Sequence, residues 1–233
     1  PRVAVSAGGQ ATLNWASYSA QSYNFNTTLF SADGAGSTLN LSSLNSLNYA
    51  ADNGIRSFTI SATNNGVVNL SGLVSLSRLR PSDGALLRET LTLSTSGGGS
   101  INLSALQSIN NDTQGSYGFA QTRFPVGSQT LTLPALTTAR VTQFTVGSGG
   151  VVNAPVLQSL SLGNELILST GSTFNAPLLN NINGTLLSLT PGATLITGQL
   201  SQIDNTRLSV SGGATFGSQI TDTNYNAGEL GFS

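Results

Sequence analysis

Four residue types that often carry chemistry are missing from this 233-residue chain: cysteine, histidine, lysine and methionine. Without cysteine there is no disulfide, no thiol nucleophile and no thiolate metal site. Without histidine or lysine, a proton-abstracting base would have to be arginine, which stays protonated in proteins. The absence of lysine also excludes Lys–Asn isopeptide cross-links. Catalysis by these familiar groups is therefore excluded, and any stiffness of the fold must come from its core and backbone.

Charge is scarce as well. Only 7% of the residues are charged, against about 25% in ordinary globular proteins, and the formal net charge is −1. No basic field exists to attract nucleic acid or anionic lipid. No apolar run reaches the roughly 18 residues of a membrane-spanning helix. The polar, weakly charged and methionine-free composition favours a long-lived secreted protein, and the first residue, Pro1, suggests a processed product or an excised fragment.

A short phrase recurs along the chain, made of a polar or β-branched residue, an apolar residue and usually asparagine. Aligned on the third residue, the spacings are 26, 29, 33, 30, 21, 22 and 21 residues. A repeat of this length predicts stacked units that bury their apolar faces against one another. The eight occurrences are Thr12-Leu13-Asn14, Thr38-Leu39-Asn40, Val67-Val68-Asn69, Ser100-Ile101-Asn102, Thr130-Leu131-Thr132, Val151-Val152-Asn153, Thr173-Phe174-Asn175 and Thr194-Leu195-Ile196.

The best-preserved repeat, 171–191, indicates how one unit folds. Residues 173–176 alternate polar and apolar, which is typical of a half-buried strand, and Pro177 then marks a corner. A second alternation at 187–189 is followed by the turn Pro191-Gly192. Three short sides and three corners fit into 21 residues, and the frequent Gly, Ser, Thr and Asn oppose a helix.

We therefore predict an all-β fold: one parallel β-solenoid domain of eight or nine coils, right-handed and three-sided. Residues 1–213 form the repeats, and residues 214–233 form a C-terminal cap or assembly segment. The longer spacings of the N-terminal half predict corner insertions at 18–36, 45–56, 79–88 and 110–123, where most charges and tyrosines lie. Such insertions often collect on one face and often bind ligands.

Two outward-facing columns are predicted on this solenoid. Asparagine amides stacked at strand spacing can hydrogen-bond from coil to coil, so we expect a structural ladder of Asn14, Asn40, Asn69, Asn102, Asn153 and Asn175. The neighbouring threonines resemble the ice-binding faces of antifreeze solenoids, and that resemblance implies an outer binding face. Its members would be Thr12, Thr38, Thr130, Thr132, Thr173 and Thr194.

Two further kinds of site are weaker in the sequence. Many polysaccharide-cleaving enzymes are parallel β-helices and need two carboxylates roughly 5–10 Å apart. Here the acids are scattered, and only a few, chiefly Asp83 and Glu89, could meet through corner loops, so we predict that the protein is not an enzyme. Of the N-glycosylation sequons, Asn26 and Asn111 lie in insertions and are the better acceptors. No metal or cofactor site is predicted, because the acidic and glycine-rich motifs such sites use are missing.

As a whole, this Ser/Thr/Asn/Gly-rich repeat resembles the parallel β-helices of bacterial surface and autotransporter-type adhesins. The resemblance implies a secreted or cell-surface rod serving as filament subunit, stalk or adhesin segment. Open strand edges at the ends of a solenoid invite head-to-tail or lateral self-association. The expected partner is another copy of the chain, with contacts from Val3, Val5, Tyr225, Leu230 and Phe232. Ice binding and glycan binding or cleavage are the alternatives.

Overall fold

The computed structural model describes residues 2–22, 26–51, 56–78, 89–111, 121–217 and 229–232, and all the regular elements in these ranges are β-strands. The chain divides into two compact units, Pro1–Phe124 and Pro125–Ser233, where the sequence predicts a single domain.

In the first unit, each strand pairs in parallel with the strand three places along the chain, so that three strands make one coil. The three ladders have the orders β1-β4-β7-β10-β13, β2-β5-β8-β11 and β3-β6-β9-β12. The strands are β1 (Val3–Ser6), β2 (Gln10–Thr12), β3 (Ser17–Ser22), β4 (Thr27–Asp33), β5 (Thr38–Asn40), β6 (Ser46–Ala51), β7 (Arg56–Thr63), β8 (Val67–Asn69), β9 (Ser75–Arg78), β10 (Glu89–Ser96), β11 (Ser100–Asn102), β12 (Ser108–Asn110) and β13 (Gln121–Val126), whose last two residues belong to the second unit.

The second unit has the same parallel architecture in shorter coils. Its ladders are β16-β19-β21-β23-β25, β14-β17-β20-β22-β24 and the pair β15-β18, which single bridges at Asn181 and Gln202 extend. The strands are β14 (Thr130–Thr132), β15 (Thr138–Arg140), β16 (Thr142–Val146), β17 (Val151–Asn153), β18 (Ser159–Ser161), β19 (Glu165–Leu168), β20 (Thr173–Ala176), β21 (Leu186–Leu189), β22 (Thr194–Thr197), β23 (Arg207–Val210), β24 (Thr215–Gly217) and β25 (Glu229–Phe232). The predicted all-β parallel solenoid is confirmed, and its right-handedness stays a prediction.

The core follows the predicted registers. Strand side chains alternate between buried and half-exposed, as in Leu187 and Ser188 of β21. The leucines four places after the asparagine position are fully buried at the first corner of each coil, and each fully buried leucine contributes about 1.5–3 kcal/mol. They are Leu44, Leu73 and Leu106 in the first unit and Leu136, Leu157, Leu179 and Leu200 in the second.

The alignment of the first repeat is wrong by two residues. The ladder pairs Gln10 with Thr38 and Thr12 with Asn40, so Thr12 occupies the asparagine column. Asn14 lies beyond the end of β2 and is not a member of that column. A slip of two residues keeps every side chain on its face because the strand period is two, so alternation alone could not detect it.

The predicted cap or assembly segment, 214–233, contains two strands. Strand β24 continues the repeat in register, with Thr215 opposite Thr194 and Phe216 opposite Leu195. Strand β25 pairs with β23 and places Leu230 opposite Leu208. The ladders therefore continue past position 213, and the role of this segment as a cap or in assembly stays a prediction. Tyr225 lies outside the described residues.

Candidate functional site

In three coils of the first unit the first corner is a β-turn supported by asparagine. In one coil the Leu44 N–H donates to the Leu41 carbonyl at 2.9 Å, while the Asn40 side-chain oxygen accepts the Ser42 N–H at 3.2 Å. The next two coils repeat this contact between Ser71 and Asn69 and between Ser104 and Asn102. An asparagine that bonds to the backbone two residues on is a standard turn device, which explains the recurring Asn-Leu-Ser.

The same asparagines contact one another across coils. The Asn69 amide nitrogen donates to the Asn40 oxygen at 3.0 Å, and the Asn175 nitrogen donates to the Asn153 oxygen at 3.4 Å. Asn102 stands in backbone register with Asn69. These contacts supply the geometry that the proposed ladder needs, and its contribution to stability stays a prediction.

The predicted threonine column is interrupted. Val67 stands opposite Thr38, and Val151 lies between Thr130 and Thr173. The longest unbroken row is Thr173, Thr194 and Thr215 in the second unit. In exposure, Thr12, Thr130 and Thr132 are exposed, and Thr38, Thr173 and Thr194 are half-buried. The column thus presents short hydroxyl rows rather than one continuous face.

A denser hydroxyl surface lies on β7 and β10 of the first unit, and the repeat phrase does not reveal it. From Ser57 on β7 and Thr90 on β10, the outward residues of both strands are all serine or threonine. The signal in the sequence is the alternation S-F-T-I-S-A-T and T-L-T-L-S-T-S. We call this surface the hydroxyl face; it consists of Ser57, Thr59, Ser61 and Thr63 paired in order with Thr90, Thr92, Ser94 and Ser96.

Charges of opposite sign flank the hydroxyl face. On the β4 side, one carboxylate oxygen of Asp33 accepts hydrogen bonds from the Thr63 hydroxyl at 2.6 Å and the Asn64 amide at 2.9 Å. These two bonds lower the pKa of Asp33, so that it is ionised at neutral pH. On the β13 side, Arg123 is exposed and in register with Thr92.

At the third corner of the first unit lies a buried polar cluster, which we call the corner network: Tyr49, Arg78, Glu89, Asn111 and Thr122. The Arg78 guanidinium contacts the fully buried Glu89 carboxylate. The Tyr49 hydroxyl donates to the Asn111 oxygen at 2.9 Å, and the Asn111 nitrogen donates to the Thr122 hydroxyl at 3.0 Å. Burial, and to a lesser degree the Glu89 charge, raises the pKa of Tyr49, so the phenol stays protonated. The network therefore joins residues at this corner of three successive coils.

The corner network bears on two predicted sites. Glu89, an acid of the carbohydrate-cleaving alternative, is enclosed and paired with Arg78, while Asp83 lies outside the described residues. Asn111 is fully buried, so a glycan on its amide is incompatible with this packing. Asn26 is exposed and accepts the Ser57 N–H at 3.0 Å, so it is the sterically accessible acceptor of the two.

The second unit closes the corresponding corner with side chains bonded to backbone. Asn164 is buried; its oxygen accepts the Thr142 N–H at 2.9 Å, and its nitrogen donates to the Ala139 and Ser161 carbonyls at 3.2 and 2.7 Å. In the following coils the hydroxyls of Thr185 and Thr206 donate to backbone carbonyls of the preceding coil. The sequence reasoning missed this polar column because threonine and asparagine also suit exposed positions.

Within the described ranges there is no group of three or more acidic, histidine or cysteine residues placed to hold a metal ion. The same residues include no helix long and apolar enough to cross a membrane. Comparison with protein-family models, with curated proteins and with solved structures returned no match. Function must therefore be argued from the surfaces of the solenoid.

Proposed function

We propose that this protein is an extracellular structural β-solenoid that self-associates, as a filament subunit, stalk or adhesin segment. The observation that carries the proposal is the one-sided strand pairing of the first coil, which is formed by β1, β2 and β3. Among the described residues each of these strands pairs on one side only, with β4, β5 and β6 respectively. A strand that pairs on one side only is a template for another parallel strand, so this coil could accept a further coil.

The side chains of that coil support the same proposal. Val3, Val5 and Ala11 are half-buried, whereas the residues in register one coil further on, Phe30, Ala32 and Leu39, are fully buried. The first coil thus combines strands that pair on one side with apolar side chains that a further coil would cover. A head-to-tail contact need not close on itself, and where it does not close it generates filaments.

The composition supports an extracellular role and assembly. A net charge of −1 gives little electrostatic repulsion between copies. The absence of cysteine and methionine removes the most readily oxidised side chains. Localisation outside the cell and the adhesin-like role rest on this composition and on the resemblance to surface β-helices.

Assembly is tested by sedimentation velocity over a concentration series and by negative-stain electron microscopy of the purified chain. We expect ordered fibres that disappear in Val5→Lys, because an inward-pointing charge on an edge strand blocks strand addition. The control is Ala4→Lys, which places the same charge on the exposed side of the same strand and should leave fibres intact. Monodisperse monomers of the unaltered chain at high concentration would refute the proposal.

A further inference from the structure

We propose that β25 is a displaceable cap: on β23 it occupies the position that β1 of a second copy takes when two chains join end to end. The inference rests on the proposed self-association and names the strands that receive the next copy and the strand that regulates its entry. The receiving strands belong to the second unit of one copy, and the entering coil belongs to the first unit of the other.

The two long ladders of the second unit extend to different coils. Along the chain, each of β16, β19, β21 and β23 is followed by a strand of the β14-β17-β20-β22-β24 ladder. We call these successive strands the first and second sides of a coil; in the first coil of the first unit they are β1 and β2. Strands β23 and β24 thus belong to one coil, and β25 begins the next. Among the described residues, the second side has no strand beyond β24.

This difference restricts how a second copy can join. If its β1 paired with β25, its β2 would lie two strand spacings, about 9.6 Å, from β24 and could not pair with it. If its β1 paired with β23, its β2 would lie one strand spacing, about 4.8 Å, from β24, and both sides would be continuous. Strand β25 already holds that place on β23, with Leu230 opposite Leu208. Joining on both sides therefore requires β25 to leave.

The first coil has the register that this place needs. Val5 and Ala11, on its first and second sides, are six positions apart, and so are Val210 and Phe216 on β23 and β24. With β1 aligned so that Val5 is opposite Val210, Ala11 therefore falls opposite Phe216. Both sides can then pair without a shift in either ladder.

The turns between the two sides close in the same way in these two coils. In the first coil the Gly9 N–H donates to the Ser6 carbonyl at 2.9 Å. In the coil of β23 and β24 the Ala214 N–H donates to the Ser211 carbonyl at 3.1 Å. One coil can therefore stack on the other without a change in its turn.

The side chains on the second side are complementary in size. Phe216 is half-buried, whereas Leu195, opposite it one coil earlier, is fully buried. Part of the Phe216 ring is thus left uncovered at the end of this ladder. Ala11 is small and also half-buried, and a small residue facing a large one allows two layers to interdigitate. The matching register and this difference in size select the first coil of a second copy as the occupant.

The charges at the start of the strands favour the capped form. Glu229 stands opposite Arg207, and opposite charges on neighbouring strands attract. In the joined form Val3 would lie opposite Leu208, which puts Arg2 opposite Arg207, so like charges would meet. As part of the same chain, β25 also competes at an effective concentration on the order of millimolar. Displacement of β25 therefore needs a high concentration of the second copy.

Deletion of residues 229–233 tests the cap. We expect the critical concentration for fibre formation, measured by sedimentation and negative-stain electron microscopy, to fall at least about tenfold, because the tethered competitor is gone. In this background Val5→Lys should abolish fibres and Ala4→Lys should retain them, because Val5 is on the inward side of β1 and Ala4 on the exposed side. An unchanged or higher critical concentration, or fibres that survive Val5→Lys, would overturn the inference.

A charge reversal tests the cap without removing any residue. Glu229→Arg places like charges opposite each other on β23 and β25, so the critical concentration should fall about threefold. The matched control is Glu165→Arg, which makes the same charge change at the first position of β19, where the register neighbours Gln143 and Leu186 are uncharged. It should leave the critical concentration unchanged. Equal effects of the two reversals would argue against a cap held by β25.

The outcomes separate this inference from the proposed function. Fibres that form at the same critical concentration with and without residues 229–233 would remove the cap and leave end-to-end assembly standing. Fibres from the deletion variant alone would support the cap and refute assembly of the unaltered chain. Monodisperse monomers of both chains at high concentration would refute both proposals.

Discussion

The two units turn the same corner with different chemistry. In three coils of the first unit the residue that opens the turn is serine, and its N–H is accepted by an asparagine two residues earlier, as with Ser71 and Asn69. In three coils of the second unit the equivalent residue is proline, as in Pro155, where the turn closes through the Leu157 N–H and the Ala154 carbonyl. Proline has no N–H and its fixed φ suits this position of a β-turn.

The difference shows that every such turn must deal with one backbone N–H, while the residue that does so can vary. The turn-opening N–H must be either satisfied or absent, because an unpaired backbone donor is costly. Asparagine satisfies it and proline removes it. The contact between coils does not depend on this choice: the Asn153 oxygen accepts from the Asn175 amide beside a proline turn, and the Asn40 oxygen accepts from the Asn69 amide beside a serine turn. The third corner is also closed in two ways. The first unit uses the side-chain contacts of the corner network, and the second unit uses bonds from the Asn164 side chain to the backbone.

We expect the largest loss of unfolding free energy from a substitution in the corner network. Arg78→Met removes the ion-pair partner of the buried Glu89 carboxylate, and breaking such a pair costs about 3–5 kcal/mol of unfolding free energy. The double variant Arg78→Met, Glu89→Leu should recover most of this loss, because it also removes the buried carboxylate. The single tryptophan, Trp15, stacks on Tyr18 in the first unit, so its fluorescence during chemical denaturation reports on that unit. A double variant no more stable than Arg78→Met would contradict the prediction.

The matching experiment in the second unit targets Asn164. Asn164→Leu keeps the approximate size but removes three hydrogen bonds, which should cost about 2–4 kcal/mol because the backbone partners stay buried. Thr206→Val removes one bond, to the Ile182 carbonyl, and should cost about 1 kcal/mol. Hydrogen exchange of the Thr142 amide, whose acceptor is lost only in Asn164→Leu, measures the difference. Equal protection in both variants would contradict it.

Features that recur in every coil can be predicted from the sequence, whereas contacts found at a single corner cannot. The solenoid, its parallel ladders and the buried column of leucines such as Leu157 follow from spacing and alternation, because every coil imposes the same requirement. The first repeat was misaligned because alternation has a period of two, and Thr12 and Asn14 fit equally well. The corner network could not be predicted, because it joins Tyr49 to Thr122 across coils whose corner lengths vary.

The asparagine and proline turns can be tested by exchanging them. Asn69→Ala should cost about 1–2 kcal/mol, because it leaves the Ser71 N–H without an acceptor and removes the amide contact with Asn40. In a Ser71→Pro background that N–H no longer exists, so the same substitution should cost only the amide contact with Asn40. Trp15 fluorescence again reports the change in unfolding free energy. The resulting double-mutant cycle should give a coupling energy of about 1 kcal/mol.

Asn102→Ala serves as the control for this cycle. The Ser104 N–H still needs the Asn102 oxygen whether residue 71 is serine or proline, so its cost should be the same in both backgrounds. A coupling near zero between residues 69 and 71 would show that the asparagine acts through the ladder alone. The two corner types would then not be equivalent solutions to one requirement.

The smallest effect expected is a gain in stability at a strained turn of the second unit. Leu162 has φ of 59°, in the left-handed region, and its side chain is 47% exposed. In the first unit the consecutive left-handed positions 64 and 65 are both asparagine, which tolerates this conformation. Leu162→Asn should therefore raise the unfolding free energy by about 0.5–1 kcal/mol, because it relieves backbone strain at a side chain that is already largely exposed.

Leu178→Asn is the matched control, because Leu178 is 51% exposed but is not among the positive-φ residues. Thermal unfolding should show a higher midpoint for Leu162→Asn only; equal shifts would mean that removing an exposed leucine, rather than backbone strain, accounts for the change.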